Sequence, residues 1–381
     1  MSIAIKSLSG SWELAWRPRC AKADLDSRPN DEIIPIEVPG DVHLALMNAG
    51  LIQDPVVGSN VTELGWIAEQ EWWFTRRFAY KAKGSRAATL VFDGLDYEAD
   101  VWVNGCHVGA HRNMFRPLRA DVTGLLQEVN EIAVRLLPHR SDVNDLPGDH
   151  DLPHTERTAR TMPQHTCHCR PWMRKAQYTF GWNWTQDLAT CGIWRGVRLE
   201  TADGVVIEEA AVRVALPSLE QAEVTCECEI RSHLERSVSA KLTVEIARRD
   251  APEKPVATET IPVEVAPELS RRTVELTLKD PALWWPAGHG EQPLYRARLR
   301  LEVEHAAVAE SSVTFGVRRV EIDEGPRPDG EGSRFTLRVN GEPIFARGAN
   351  WVPADTCPAR VTPAKRDHRL QLAREANFNY L

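Results

Sequence analysis

The chain has 381 residues, enough for two or three domains, and its 43% hydrophobic and 26% charged side chains are an ordinary globular balance in which each domain can bury a core. Its 54 acidic residues against 46 basic ones give a formal charge of −8, which argues against nucleic acid or an anionic membrane surface as partner and suits a neutral ligand. No run of about eighteen apolar residues is present, so no membrane span is predicted, and the N-terminal MSIAIKSLSGSWEL lacks the apolar core of a signal peptide, so a cytoplasmic location is expected.

Residues 8–14 predict a short strand with Trp12 as its aromatic anchor. Glu37-Val38-Pro39-Gly40-Asp41-Val42-His43 then turns into a short helix that ends at Gly50. From Glu71 the signals become strongly β, with strands at 72–78 and 88–94. A hairpin follows at 99–109, where alternating apolar residues flank Asn104-Gly105, the strongest short-range hairpin signal in the chain. Residues 115–122 and 130–137 add further strands. Many short strands with almost no helical periodicity point to an antiparallel sandwich, and the first domain is expected to span 1–201.

Residues 138–175 break the pattern with Pro138, Pro147, Pro153, Pro163 and Pro171. Such a long irregular excursion is usually functional or mobile. Its His154, His165 and His168 suit either ordinary loop residues or acid–base groups and ligands. His165-Thr166-Cys167-His168-Cys169 has the residue types of a zinc site. Its Cys-x-Cys spacing lacks a second paired cluster, however, since Cys226 and Cys228 fall in a strand pattern, so no metal is expected. The eight cysteines, at 20, 106, 167, 169, 191, 226, 228 and 357, are scattered, which suits free thiols better than a disulfide framework. No motif implies a cofactor, and the oligomeric state is not legible.

Residues 176–199, AQYTFGWNWTQDLATCGIWRGVRL, hold three of the thirteen tryptophans, Trp182, Trp184 and Trp194. Strand patterns flank the run, and its middle, with Gly181, Asn183, Thr185, Gln186 and Asp187, is expected to be an exposed loop. Indole faces beside a hydrogen-bonding amide suit a sugar, whose C–H faces pack on the rings while its hydroxyls take the amide. A tryptophan-rich sandwich core fits the same residues equally well.

Residues 202–318 predict a second all-β domain, with strands at 205–214, 222–231, 241–247, 273–278, 294–303 and 312–317. This is the pattern of an immunoglobulin-like sandwich without its disulfide. Leu283-Trp284-Trp285-Pro286 is expected to be a packed aromatic corner. From 319 the chain offers a polar linker or hairpin tip at 323–333 and a second hairpin around Asn340-Gly341, whose return strand runs into Ala349-Asn350-Trp351. Thr362-Pro363 is an N-cap and first helical residue opening a helix at 364–377, with Leu370, Ala373 and Ala376 on one face. Residues 378–381 start another strand. Strand, loop, helix and strand make the opening βαβ unit of a (β/α)8 barrel at 319–381.

Two tracts, KAQYTFGWNWTQDLATCGIWRGVRLE at 175–200 and GANWVPAD at 348–355, resemble the signatures of the β-mannosidases among the family 2 glycoside hydrolases. The likeness recurs along nearly the whole chain, including the Pro-Gly-Asp-Val-His and Trp-Trp-Pro tracts. It implies a mainly β chain made of an N-terminal jelly-roll (galactose-binding-like) domain, an immunoglobulin-like sandwich and the start of a barrel. It also implies hydrolysis of terminal non-reducing β-D-mannose residues, with a β-mannoside or manno-oligosaccharide as the partner. Trp182, Asn183 and Trp184 would close the sugar pocket from the first domain, and Asn350, Trp351 and Asp355 would occupy the first barrel loop. For Asp355 a plain turn carboxylate is an equally good reading. The chain departs from the pattern at Asn183, where the family usually carries Asp, and at Thr185-Gln186, where it often carries Gly-Pro. An amide still accepts a hydrogen bond but without charge, and charge-assisted bonds are roughly twice as strong. Weaker mannose binding, or preference for another sugar, is expected.

A (β/α)8 barrel takes about 250 residues, and residues 344–381 supply only a small part of one. In the family, two glutamates on later strands act as acid/base and nucleophile, about 5–5.5 Å apart in a retaining enzyme. No residue here is assigned as catalytic, and the chain alone is expected to be an inactive fragment. The competing readings are a stand-alone carbohydrate-binding module, an interaction module without sugar affinity, and a family 2 enzyme of other specificity such as a β-galactosidase or β-glucuronidase.

Overall fold

The computed structural model describes residues 3–20, 24–80, 87–140, 170–303 and 306–381. Of the excursion at 138–175, residues 141–169, with His154, His165, His168, Cys167 and Cys169, lie outside the described residues. The chain divides into two compact units, one of Ala4–Thr201 with Pro353–Arg366 and the other of Met1–Ile3, Ala202–Val352 and Asp367–Leu381. No helix among the described residues is long and apolar enough to cross a membrane.

The unit containing Ala4–Thr201 is a two-sheet sandwich. One sheet has six strands in the order Ile34–Val38, Gly10–Pro18, Gln70–Ala79, Val129–Leu137, Glu98–Val103, Cys106–Arg112, and the other has four, Ala4–Ser7, Val197–Ala202, Ala87–Phe92, Leu118–Asp121. The alternation of side chains along a strand explains the pairing of tryptophans at 72 and 73. Trp72, Phe74 and Phe78 enter the core beside Trp12, Leu14, Val101 and Val134. Trp73 points to the opposite face and stacks on Trp102, with centroids 5.4 Å apart, to form a small second cluster with Ala133 and Leu25. Asn104 and Gly105 both take the positive φ that a two-residue hairpin turn requires. The strand expected from residue 115 begins only at Leu118, because the Asn113 side chain accepts from the Phe115 N–H and turns the chain there.

On the same outer face, Glu71 is fully buried among cations. Its carboxylate accepts from Arg17 Nε at 2.6 Å, Arg135 Nε at 2.9 Å and Trp73 Nε1 at 3.0 Å. Burial by itself pushes the Glu71 carboxyl up, but the bonds from Trp73, Arg17 and Arg135 outweigh it and hold the group below its ordinary value.

The second unit contains a seven-stranded sandwich. Three strands, Val205–Ser218, Gln221–Ser232 and Glu268–Lys279, face four, ordered Pro255–Val265, Val238–Arg248, Tyr295–Val303, Ala306–Phe315. Its core is Val224, Ile230, Leu242, Val244, Leu299 and their neighbours. Cys226 and Cys228 sit two apart on the inward face as free thiols, and burial raises both to about 11. The sequence reading passes over Pro255–Val265. This is an edge strand, so it tolerates Pro255 and Pro262, which have no N–H to donate, and its mostly exposed surface blurs the alternation. The Trp284 corner packs as expected, with the Arg318 guanidinium over the indole at 4.3 Å.

Beyond the sandwich, Val320–Asp323, Thr336–Val339 and Glu342–Pro343 form a three-stranded sheet closed by Asn340 and Gly341, both at positive φ. The return strand is shorter than the sequence suggests. Its assigned part ends at Pro343, and after the Ile344 N–H donates to the Leu337 carbonyl at 2.8 Å the pairing does not run on to Trp351. The helix Pro363–Glu375 begins as predicted, the Thr362 hydroxyl accepting from the Lys365 N–H at 3.2 Å. No residue of this helix is buried, and Leu370 and Leu372 are 45% and 43% exposed. Gly348 and Tyr380 pair in parallel, so closely that a Cβ at 348 would lie 1.8 Å from the Tyr380 oxygen, which makes glycine obligatory there.

Glu71→Gln keeps the side-chain shape but leaves Arg135, only 4% exposed, without its full counter-charge. Breaking such a pair by removing one partner costs about 3–5 kcal/mol. With Asp100 still 3.6 Å from Arg135, a loss near the lower end is expected in urea unfolding at pH 7. The Glu71 contribution is full above the ordinary glutamate value of about 4.3 and disappears as pH falls through the lower folded value. The Gln variant should therefore lose less stability on acidification than the parent does.

Candidate functional site

The tryptophan-rich run folds as a hairpin where a loop is expected. Phe180–Trp182 pairs with Thr185–Asp187, in the register Phe180 to Asp187 and Trp182 to Thr185, leaving Asn183 and Trp184 as a two-residue turn. Gly181 takes φ +83°, and a Cβ there would press on the Asp187 backbone at 3.3 Å, so the strand can bend this tightly only with glycine. The base of the hairpin is anchored by Phe180 and Leu188, both nearly inaccessible, with His139 stacked on Phe180. At the tip, Trp182 is 39% exposed, Asn183 is exposed and Trp184 is half-buried. The Trp184 ring leans on Tyr178 at 5.3 Å, and the Arg170 guanidinium lies over Trp182 at 5.7 Å.

Buried charge holds the stretches on either side of the hairpin. Lys175, without solvent exposure, bonds to Asp96 Oδ1 and donates to the Thr190 carbonyl at 2.6 Å, and the Thr190 hydroxyl donates to Asp96 Oδ2 at 2.7 Å. Burial pushes the Asp96 carboxyl up, opposed by the Lys175 charge and by the bonds from Lys175 and Thr190. The Asp96 and Gly192 backbones exchange two hydrogen bonds at 2.9 Å, so the network seizes the chain on both sides of the hairpin. The Pro-Gly-Asp-Val-His tract supplies a second anchor. Asp41 caps the helix Val42–Asn48, accepting from His43 N and Nδ1 through one oxygen and from Cys191 N through the other. Gly192 allows this approach, since a Cβ there would lie 2.2 Å from the Gly40 oxygen.

A third anchor comes from Pro353–Arg366. The Thr356 and Thr185 hydroxyls share a hydrogen bond at 2.7 Å, beside the hairpin turn. Asp355, expected as a sugar ligand or a turn carboxylate, is 9% exposed. Its carboxylate accepts from Cys357 N and Arg360 Nε at 3.0 Å and from Lys365 Nζ at 2.6 Å. Burial raises the Asp355 carboxyl, but these bonds outweigh it and hold it below the usual aspartate range. Its acceptor positions are spent inside the protein, which favours the turn reading.

Of the six expected site residues, Trp182, Asn183, Trp184 and Asp355 belong to one unit, while Asn350 and Trp351 belong to the other and are exposed there. The anchors Asp96, Lys175, Asp41 and Thr356 are absent from that expectation. Two of them had a signal, since Lys175 opens the motif tract and Asp41 sits in the Pro-Gly-Asp-Val-His tract. Residues 182–186 carry no ionisable group. The tip can offer indole faces, an amide and hydroxyls to a neutral polyhydroxy ligand, and it has nothing with which to transfer a proton.

The profile of the family described as "Glycosyl hydrolase 2 galactose-binding domain-like" matches residues 20–195, and that of "Glycosyl hydrolases family 2" matches residues 205–318. The chain is 32% identical to the β-mannosidase B of Thermothelomyces thermophilus over 360 residues, covering 92% of this chain and 39% of that protein. It is 33% identical to the β-mannosidase of Bos taurus, covering 91% and 40%. The crystal structure of the β-D-mannosidase of Dictyoglomus thermophilum superimposes with a TM-score of 0.82 at 31% identity, covering 99% of this chain and 43% of that one. The exo-chitosanase of Amycolatopsis orientalis shares the fold, with a TM-score of 0.73 at 21% identity. The chain thus spans about two-fifths of the length of the curated relatives it matches. With one family 2 profile on each of its two sandwiches, the chain belongs to the family 2 glycosyl hydrolases.

Proposed function

We propose that this chain forms the non-catalytic, sugar-contacting part of a β-mannosidase that hydrolyses terminal non-reducing β-D-mannose residues by a retaining mechanism. The observation that carries this reading is the alignment of over nine-tenths of the chain with proteins named β-mannosidase at 32–33% identity. Trp182, Asn183 and Trp184 are assigned to sugar contact, on the grounds that the hairpin carries them at its turn, where Trp182 and Asn183 are exposed and none of the three is charged. Asn350 and Trp351 are assigned to the loop after the first barrel strand and to substrate contact there. The paired carboxylates of the chemistry, about 5–5.5 Å apart in a retaining enzyme, are assigned to no residue of this chain.

Residues 319–381 are the opening of a (β/α)8 barrel on this reading. Support comes from the parallel pairing of Gly348 with Tyr380 across a helix, and from a groove of about 820 Å³ lined by Leu370, Phe378, Tyr380 and Leu381 among others. Those apolar side chains are what further barrel elements would cover. We place the protein in the cytoplasm, a reading supported by free thiols at Cys20, Cys106, Cys191, Cys226, Cys228 and Cys357.

Calorimetric titration of the chain with methyl β-D-mannoside and manno-oligosaccharides, against β-galactoside and β-glucuronide controls, tests the reading. Preferential binding of the mannosides is expected, and equal affinity for all three sugars would remove mannose specificity. Trp182→Ala should weaken mannoside binding by about tenfold or more, the scale of a lost aromatic contact. Asn183→Asp should tighten it several-fold by making the amide's bonds charge-assisted. An unchanged affinity in Asn183→Asp would take Asn183 out of the site.

A further inference from the structure

A two-stranded hairpin with three residues a side is marginal by itself, so its tip is placed by what it touches. Thr185 directly follows the Asn183–Trp184 turn and pairs across it with Trp182. A hydrogen bond to its side chain therefore acts on the turn. That bond comes from Thr356, which is remote in sequence and sits next to Asp355. Asp355 in turn is bonded to Cys357 N, Arg360 and Lys365, three groups of its own segment. Arg360 also reaches to within 4.0 Å of Asp54 in the sandwich, so the segment is tied at both ends.

We infer that Asp355 is a positioning residue for the Trp182–Trp184 tip, acting through the Thr356–Thr185 hydroxyl bond. The carboxylate fixes the 355–360 turn, the turn aims the Thr356 hydroxyl, and that hydroxyl holds the strand residue on which the Asn183 amide depends. The inference rests on the proposed role of the tip in sugar contact, and it extends that role to residues that meet no ligand themselves. A polar pair at this place selects one hairpin position out of several, because without Thr356 the Thr185 hydroxyl keeps only a long 3.5 Å bond to the adjacent Gln186 carbonyl in a half-buried site.

The test combines hydrogen exchange of peptides spanning 180–187 with calorimetric titration of a manno-oligosaccharide, both on the 381-residue chain. Thr356→Val and Thr185→Val should each accelerate exchange in 180–187 and weaken binding roughly fivefold, the size of one net hydrogen bond. The double variant should be no worse than either single one, and Thr356→Ser should restore both readouts. Asp355→Asn should reproduce both effects. If Asp355→Asn abolishes binding while exchange in 180–187 stays as in the parent, Asp355 is a direct ligand and the inference fails. It fails equally if every variant leaves exchange in 180–187 unchanged. Should Asp355→Asn not fold, the Thr356→Val and Thr356→Ser pair decides. Should the parent bind no sugar, the sugar reading of the tip falls, while the exchange data still decide the coupling.

Discussion

The buried pair of Lys175 with Asp96 is the constraint on which the candidate site hangs. Isolating either charge in the protein interior would be far more costly than folding stability allows, so once one is buried the other must come to it. Their separation of 79 residues turns that requirement into tertiary structure. The chain entering the tryptophan hairpin must meet the segment after the strand Ala87–Phe92, and Thr190 on the leaving side must join them to complete the hydrogen bonds. A buried ion pair is weak evidence for stability as such. What it contributes here is a single arrangement, because an alternative path for the hairpin would strand the lysine.

Charge and recognition are thereby separated. Asp41, Asp96 and Asp355 lie buried around the hairpin with their acceptors committed to protein donors. The exposed tip carries two indoles, an amide and a hydroxyl, and no ionisable side chain. On the proposed reading this division is functional. The geometry is set by strong, buried interactions that no ligand disturbs, and the ligand meets indole faces, an amide and hydroxyls, with the Arg170 guanidinium over Trp182, so selectivity comes from stacking and directional hydrogen bonds. Asn183 fits that description better than a carboxylate would, at the expense of the stronger bond a charge could offer.

The second unit shows the reverse distribution. Its sandwich keeps a well-packed interior, with even the thiols of Cys226 and Cys228 held as core residues. The segments that follow it leave apolar side chains in the open, at Phe335, Phe345, Leu370 and Leu372. The sandwich before them exposes large apolar side chains only singly, at Leu219, Val256 and Leu269 among the described residues, so exposed apolar surface is concentrated in the segments that follow it.

The strands were legible where one face is buried, because burial on one side writes a period of two into the residues. Ala222, Val224, Cys226, Cys228 and Ile230, alternating with less buried residues, spell it out, and Asn104-Gly105 and Asn340-Gly341 announce their turns because few other residues take positive φ. The edge strand Pro255–Val265 escaped notice since neither of its faces is strongly buried. The candidate site was legible as composition and as a motif tract, not as geometry. Trp182, Asn183 and Trp184 stood out, but their turn geometry follows from a register that strand pairing sets. For Asp355 the sequence left a ligand carboxylate and a turn carboxylate equally open, because the two are the same letter. What the tertiary structure adds is the arrival of Arg360 and Lys365 as donors at 3.0 and 2.6 Å. Local pattern is carried by neighbours a few residues apart. Contacts such as Thr185 with Thr356, 171 residues apart, leave no periodic trace in the sequence and exist only once the chain has folded.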